Sequence, residues 1–174
     1  MIRPIVIYPD PILKLKSKPV TVFDEDLRIL SQDMSETMRD AFGVGLAAIQ
    51  VGKPIRMMVM DRHYEQEDKG ESLVLCNPEI LEAEGSETIE EGCLSIPDVR
   101  EEVERAFKVK VKAENLEGVE ETFEFEGLLA RCVLHEVDHM NGQLFIQKVP
   151  AVKRLFLQKK LSDLKKNYKT PVSL

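Results

Sequence analysis

The stretch from Gly127 to Asn141 limits the fold more than any other part of the chain. It reads as a helix that is apolar on most sides, with Gly142 as its stop. A helix of that kind is buried, so the remaining elements have to enclose it. It also carries His135-Glu136-Val137-Asp138-His139. Residues four apart lie on one helix face, so the two imidazoles can grip a single metal ion. Glu136 follows the first of them directly, close enough to handle the proton of a water at that ion. A metal site placed here sits inside the fold, fixed by packing.

The enclosing elements are legible from periodicity. Asp24 caps a helix whose apolar positions Leu27, Leu30, Met34, Met38 and Phe42 follow helical spacing and end at Gly43. Short β-like runs follow at 55–60, at 73–76, and from Ile89 into Cys93, with a polar, exposed loop over 62–71. Phe107, Val109 and Val111 alternate with charged residues, as do Phe123 and Phe125, around a turn at 115–118. That is the pattern of a half-buried antiparallel hairpin. Near the C-terminus Leu157, Leu161, Leu164 and Tyr168 recur at helical spacing, which predicts an amphipathic helix from about 150 to 168. The expected class is α+β, with antiparallel sheets wrapped around a central buried helix. No repeat or linker divides the chain, so residues 1–174 are expected to form one catalytic domain.

Composition narrows the function. The formal net charge of −7 argues against general nucleic-acid binding, and DNA is not an expected partner. There is no apolar run long enough to span a bilayer and no charged-then-apolar leader, so neither membrane nor secretion is expected. Three cysteines, an odd number, do not build a disulfide framework. A thiolate metal ligand also favours a reducing compartment, and the expected location is the cytoplasm. Charge is uneven, however. From Lys148 onward there are eight Lys or Arg residues against a single acid, Asp163.

Two His ligands leave a catalytic site one short, since such sites generally take three protein ligands and keep one position open. After His139 the chain has no His, Glu or Cys, and its only acid is Asp163. Upstream, Glu91-Gly92-Cys93-Leu94-Ser95 offers a thiol in a compact, turn-like segment. Cys93, His135 and His139 are therefore the favoured ligands. Cys132 shares the broad face of His135 and can approach the site without binding metal. Cys76, in an apolar run, reads as a small buried hydrophobe, and His63 as a solvated loop residue. Gly43 and Gly45 let a substrate backbone approach closely, as walls of a peptide cleft.

Three segments in order, Gly43-Val44-Gly45-Leu46-Ala47-Ala48-Ile49-Gln50, Glu91-Gly92-Cys93-Leu94-Ser95 and His135-Glu136-Val137-Asp138-His139, resemble the signatures of the peptide deformylases. The resemblance runs from about Ile5 through Lys148. It implies hydrolysis of the N-formyl group from N-formylmethionyl nascent peptides. It assigns Glu136 as general base, with the Gln50 amide and the Leu94 backbone N–H as oxyanion donors. It implies a methionine pocket lined by Val44, Ile89, Leu128, Cys132 and the edge of His135, and a contact from Arg100 to the substrate backbone. The implied cofactor is one divalent ion, Fe2+ in cells, with Zn2+, Ni2+ or Co2+ also compatible with the ligands. Leu134 stands where that family usually has Gln, and Arg131 where it often has an apolar residue. The basic C-terminal helix would either be a solvated face or dock on ribosomal RNA, as it does in bacterial members.

Two rival readings remain open from the residues. A zinc peptidase would need a downstream ligand that the chain lacks. The other is a binding protein with a structural metal, or an inactive relative: a structural site would normally be closed by four protein ligands, whereas three converge here beside a candidate base, and only Leu134 speaks for an inactive relative.

Overall fold

Strand β2 (Met57–Met60) shows why one continuous apolar run was needed: all four of its residues are buried. Met57 and Val59 face one core with Leu27, Leu30, Met34 and Met38 of helix α1 (Glu25–Asp40). Met58 and Met60 face a second core with Ala130, Cys132, Val133 and Met140 of helix α2 (Gly127–Met140). The strand is thus covered on both sides, and a polar residue on either face would be stranded without water. This is a computed structural model that describes residues 1–66 and 70–168. Residues 67–69 of the expected polar loop, and Lys169 of the basic run, lie outside the described residues.

Strands β1 (Gly45–Ala47), β2, β3 (Leu73–Glu84), β6 (Lys108–Glu114) and β7 (Glu120–Glu126) form one antiparallel sheet in the order β1-β2-β3-β6-β7. Helix α2 packs against β1, β2, β6 and β7. The alternation in β6 is clean. Val109, Val111 and Ala113 are buried against α2, while Lys110 and Lys112 turn out to pair with Glu82 and Glu79 of β3. Strands β4 (Glu87–Cys93) and β5 (Ile96–Arg105) form a separate antiparallel hairpin. A third core joins Val99 and Val103 of that hairpin to Phe145, Val149 and Leu157, the last on helix α3 (Ala151–Asn167).

The sequence expectations hold for the central helix, for the β6–β7 hairpin (with Phe107 exposed just ahead of it rather than within the strand) and for the Asp24 cap, whose carboxylate accepts from the Leu27 N–H at 3.0 Å. Two of them need correcting. Helix α1 stops at Asp40, and Phe42, counted among its apolar positions, lies beyond it with φ +55° and is 92% exposed. Helix α3 is apolar on two sides rather than one. Leu157, Leu161 and Leu164 pack on the third core, while Val152, Leu155 and Phe156 on the opposite side are exposed. Among the described residues, no helix is long and apolar enough to cross a membrane.

Gly142, just past α2, has φ +72°, and a Cβ there would collide with the carbonyl of Lys14. Gly142→Ala is expected to destabilise the fold by at least about 1–3 kcal/mol, read as a lower urea midpoint with unchanged slope. An unchanged midpoint would mean that the turn tolerates a side chain.

Candidate active site

Three elements deliver side chains to one point. Helix α2 presents His135 and His139 from the same face, four residues apart. The end of β4 presents Cys93, at a break in the β4–β5 register between Gly92 and Cys93, the kind of irregularity that re-aims a side chain. A short turn of helix at 48–51 presents Gln50. The Cys93 thiol lies 3.2 Å from His139 Nε2, which lies 3.2 Å from His135 Nε2. All three donor atoms fall within 4.8 Å of one another. Donor edges near 3.3–3.5 Å follow from tetrahedral bonds of about 2.0–2.3 Å, so one thiolate and two imidazoles fit a small divalent ion.

Glu91 fixes the orientation of His135. Its Oε1 lies 2.6 Å from His135 Nδ1, and its two oxygens accept from Arg105 Nη2 at 2.6 Å and Arg105 Nε at 2.8 Å. Burial alone would raise the Glu91 carboxyl, but hydrogen bonds from Arg105 and His135 hold it well below the usual carboxylate range. An ionised carboxylate only accepts, so Nδ1 donates to it and Nε2 faces Cys93 and His139. Burial would lower the His135 imidazole, yet its hydrogen bonds to Cys93 and Glu91 outweigh that and hold it well above its ordinary value. Burial, and His135 beside it, push His139 the other way, well below its ordinary value.

Glu136 and Gln50 complete the surroundings. Glu136 is buried, with Oε2 unpartnered, and burial pushes its carboxyl up to about 7 against the opposing pull of His135. A carboxyl in that range can take and return a proton near neutral pH. Gln50 Oε1 accepts from the Ala47 N–H at 2.8 Å, which turns its amide nitrogen toward Ser95 Oγ at 3.2 Å and Cys93 Sγ at 3.8 Å. A cavity of about 580 Å³ opens over these groups. The sequence profile of the polypeptide deformylases matches residues 2–155. The chain belongs to that family.

Its likeness to curated deformylases extends along nearly all of the chain. It is 49% identical to the peptide deformylase of Acidobacterium capsulatum, over 95% of this chain and 97% of that one. It is 50% identical to that of Mesorhizobium japonicum, over 95% and 94% respectively. The crystal structure of a peptide deformylase from Legionella pneumophila superposes with a TM-score of 0.87 at 44% identity, covering 95% of this chain and 96% of that one. A plant peptide deformylase gives 0.92 at 35% identity, over 99% and 94%. The deformylase family is metal-dependent, and Cys93, His135 and His139 form a cluster that could hold a metal ion.

Of the residues named from sequence, Val44, Gly45, Arg100, Leu128 and Cys132 line the cavity together with Gln50, Leu94 and Glu136. Ile89 is half-buried on β4 and lies outside that lining. Gly45 is in close contact with α2, since a Cβ there would collide with Cys132 Sγ and come within 2.9 Å of Glu136 Oε1. Leu134 turns away from the triad and packs half-buried on the second core. Sequence reasoning missed Arg105 and the role of Asp138, whose carboxylate accepts from Arg105 Nη1 at 2.8 Å. A signal was present: Val99, Val103 and Arg105 share the inward parity of β5, and all three are buried. It also missed Phe42 on the cavity rim.

The cysteines differ in a checkable way. Burial pushes the Cys76 thiol up to about 12 and raises Cys132 well above its ordinary value, whereas Cys93 is only half-buried. A raised value leaves little thiolate, the reactive form, at pH 8. Native protein treated with a chelator is therefore expected to titrate one of its three thiols with an aromatic disulfide, and all three in guanidinium. Modification of Cys76 or Cys132 in the native protein, located by peptide mapping, would contradict this.

Proposed function

We propose that Cys93, His135 and His139 hold one divalent metal ion and that Glu136 and Gln50 act with it to remove the N-formyl group from nascent N-formylmethionyl peptides, releasing formate. Deformylation is the reaction of the family to which the chain belongs. The observation that carries the assignment is the set of three convergent donors beside an unpartnered, buried Glu136 oxygen. Three ligands leave an open position, as catalytic sites do. A divalent ion held there supplies Lewis acidity, lowering the pKa of water and polarising the formyl carbonyl. Fe2+ is the ion favoured in cells, with Zn2+, Ni2+ and Co2+ also accepted by this donor set.

The chain's own groups account for the remainder. Glu136 Oε2 takes a proton from the attacking water and later delivers it to the departing amine, which leaves formate and a free N-terminus. The Gln50 amide nitrogen donates to the formyl oxygen as negative charge develops there. Because Ala47 already holds Gln50 Oε1, little reorganisation is needed at that moment. The Leu94 backbone N–H is the second donor. Val44, Leu128 and Cys132 receive the methionine side chain. Arg100 holds the peptide backbone; its partner Glu90 is exposed and 2.7 Å away, and such surface pairs are weak enough to exchange for substrate.

We read residues 1–174 as one catalytic domain working in the cytoplasm, with no DNA or membrane partner. The exposed cations of α3 (Arg154, Lys159 and Lys166 among them) suit electrostatic docking to ribosomal RNA, where nascent substrates emerge.

Release of formate from formyl-Met-Ala-Ser by anaerobically purified protein tests the chemistry. Gln50→Leu is expected to lose about 10²–10³ in rate, and Glu136→Ala nearly all of it, with bound metal retained in both. Near-normal turnover in either variant would refute its role. For docking, reversing Arg154, Lys159 and Lys166 to Glu avoids disturbing the packed leucines of α3. Ribosome co-sedimentation at low salt should fall sharply, and unchanged sedimentation of the folded variant would end the docking idea.

A further inference from the structure

The metal triad is split between two elements that are far apart in sequence. Cys93 comes from the β4–β5 hairpin, and both histidines come from α2. Something has to set the distance between hairpin and helix to within tenths of an ångström. We infer that Arg131 is the positioning residue that does so, by clamping the hairpin onto α2 one helical turn before His135. The inference rests on the reading of Cys93, His135 and His139 as metal ligands.

Arg131 is 3% exposed although it belongs to the most basic of side chains. Its Nη1 donates to Glu91 Oε2 at 3.0 Å and to the Val103 carbonyl at 2.8 Å, and its Nη2 donates to the Glu87 carbonyl at 2.7 Å. One guanidinium on the helix thus holds both strands of the hairpin, through the backbone of each and through a side chain of β4. That side chain is the same Glu91 that orients His135. Arg105 spans the same gap in the opposite sense, from β5 to Asp138 on α2. With Arg131 absent, Glu91 would lose one of its acceptor contacts and two carbonyls would lose their donor. The hairpin would then be free to shift Cys93 relative to the two imidazoles. A planar fork of fixed donors suits this task, and an ammonium does not.

The test uses Co2+ as probe, followed by its ligand-field and thiolate absorption and by competition with a chelator, in the full chain. Arg131→Met keeps apolar volume and removes the fork. It is expected to bind Co2+ about 10–100-fold more weakly than wild type, with a shifted absorption spectrum, as changes behind metal ligands do. Leu27→Ala, in the first core, whose members include none of the three ligands, controls for lost stability and should keep wild-type affinity and spectrum. Wild-type affinity and spectrum in Arg131→Met would overturn the clamp. Should that variant not fold, Arg131→Lys decides: its single ammonium cannot serve Glu91 and both carbonyls, so several-fold weaker Co2+ binding supports the clamp and unchanged binding overturns it. His139→Ala separates the two readings. If it leaves Co2+ binding intact, the ligand assignment fails and the clamp falls with it, whereas an intact site in the Arg131 variants alone sinks only the clamp.

Discussion

The carboxylate of Glu91 is 6% exposed and meets two arginines and a histidine, and the geometry of the site depends on it. A carboxylate has about four acceptor positions, and all of them are used here. Glu91 and Asp138 are set against Arg105 and Arg131, with Lys148 3.3 Å from Asp138 at the edge of the network. Such buried networks contribute little net stability compared with a well-packed apolar core, because desolvation offsets most of the attraction. Their effect is directional. Each bond here fixes an orientation: Nδ1 of His135 toward Glu91, hence Nε2 toward Cys93, and the hairpin against the helix.

Burial has opposite consequences for the two glutamates of the site. Glu91 is surrounded by donors and stays ionised, while Glu136 has a free buried oxygen and is pushed toward neutrality. The same side chain is thereby held as an anion in one place and pushed toward its neutral form in another, a contrast set by neighbours rather than by residue type. Gln50 follows similar logic. Its carbonyl oxygen is committed to Ala47, so its amide nitrogen is the face turned toward Ser95 and Cys93. These groups are held before any substrate arrives, which is the condition for electrostatic stabilisation of a transition state.

Helix α3 belongs to the structure on one side only. Leu157, Leu161 and Leu164 pack on the third core, and Lys153 reaches Glu101 and Glu102 of β5, so the helix braces the outer face of the hairpin that carries Cys93. Its other side presents Val152, Leu155 and Phe156 among cations. Helical spacing alone did not separate these sets, because both recur with the same period and differ only in what lies opposite them.

Much of the site was legible in the sequence because it is encoded locally. His135, Glu136 and His139 need only a helix to share a face, and the apolar surroundings of that helix required its burial. The alternation of Val109 and Val111 with lysines likewise names a strand without reference to anything distant. Cys93 was reached by elimination of downstream ligands, and the resemblance of three ordered segments supported it. Tertiary structure alone decided how the parts meet. Arg131 looks in sequence like any surface cation, yet it is buried against Glu91, 40 residues away in the chain; Arg105 shares the inward parity of Val99 and Val103, but nothing local names Glu91 and Asp138 as its partners. Phe42 looks like the last apolar position of a helix, yet the chain turns at Ala41 and leaves it in solvent on the cavity rim. Periodicity reports the conformation of a segment. The partners of a buried charge depend on long-range packing, which no local pattern contains.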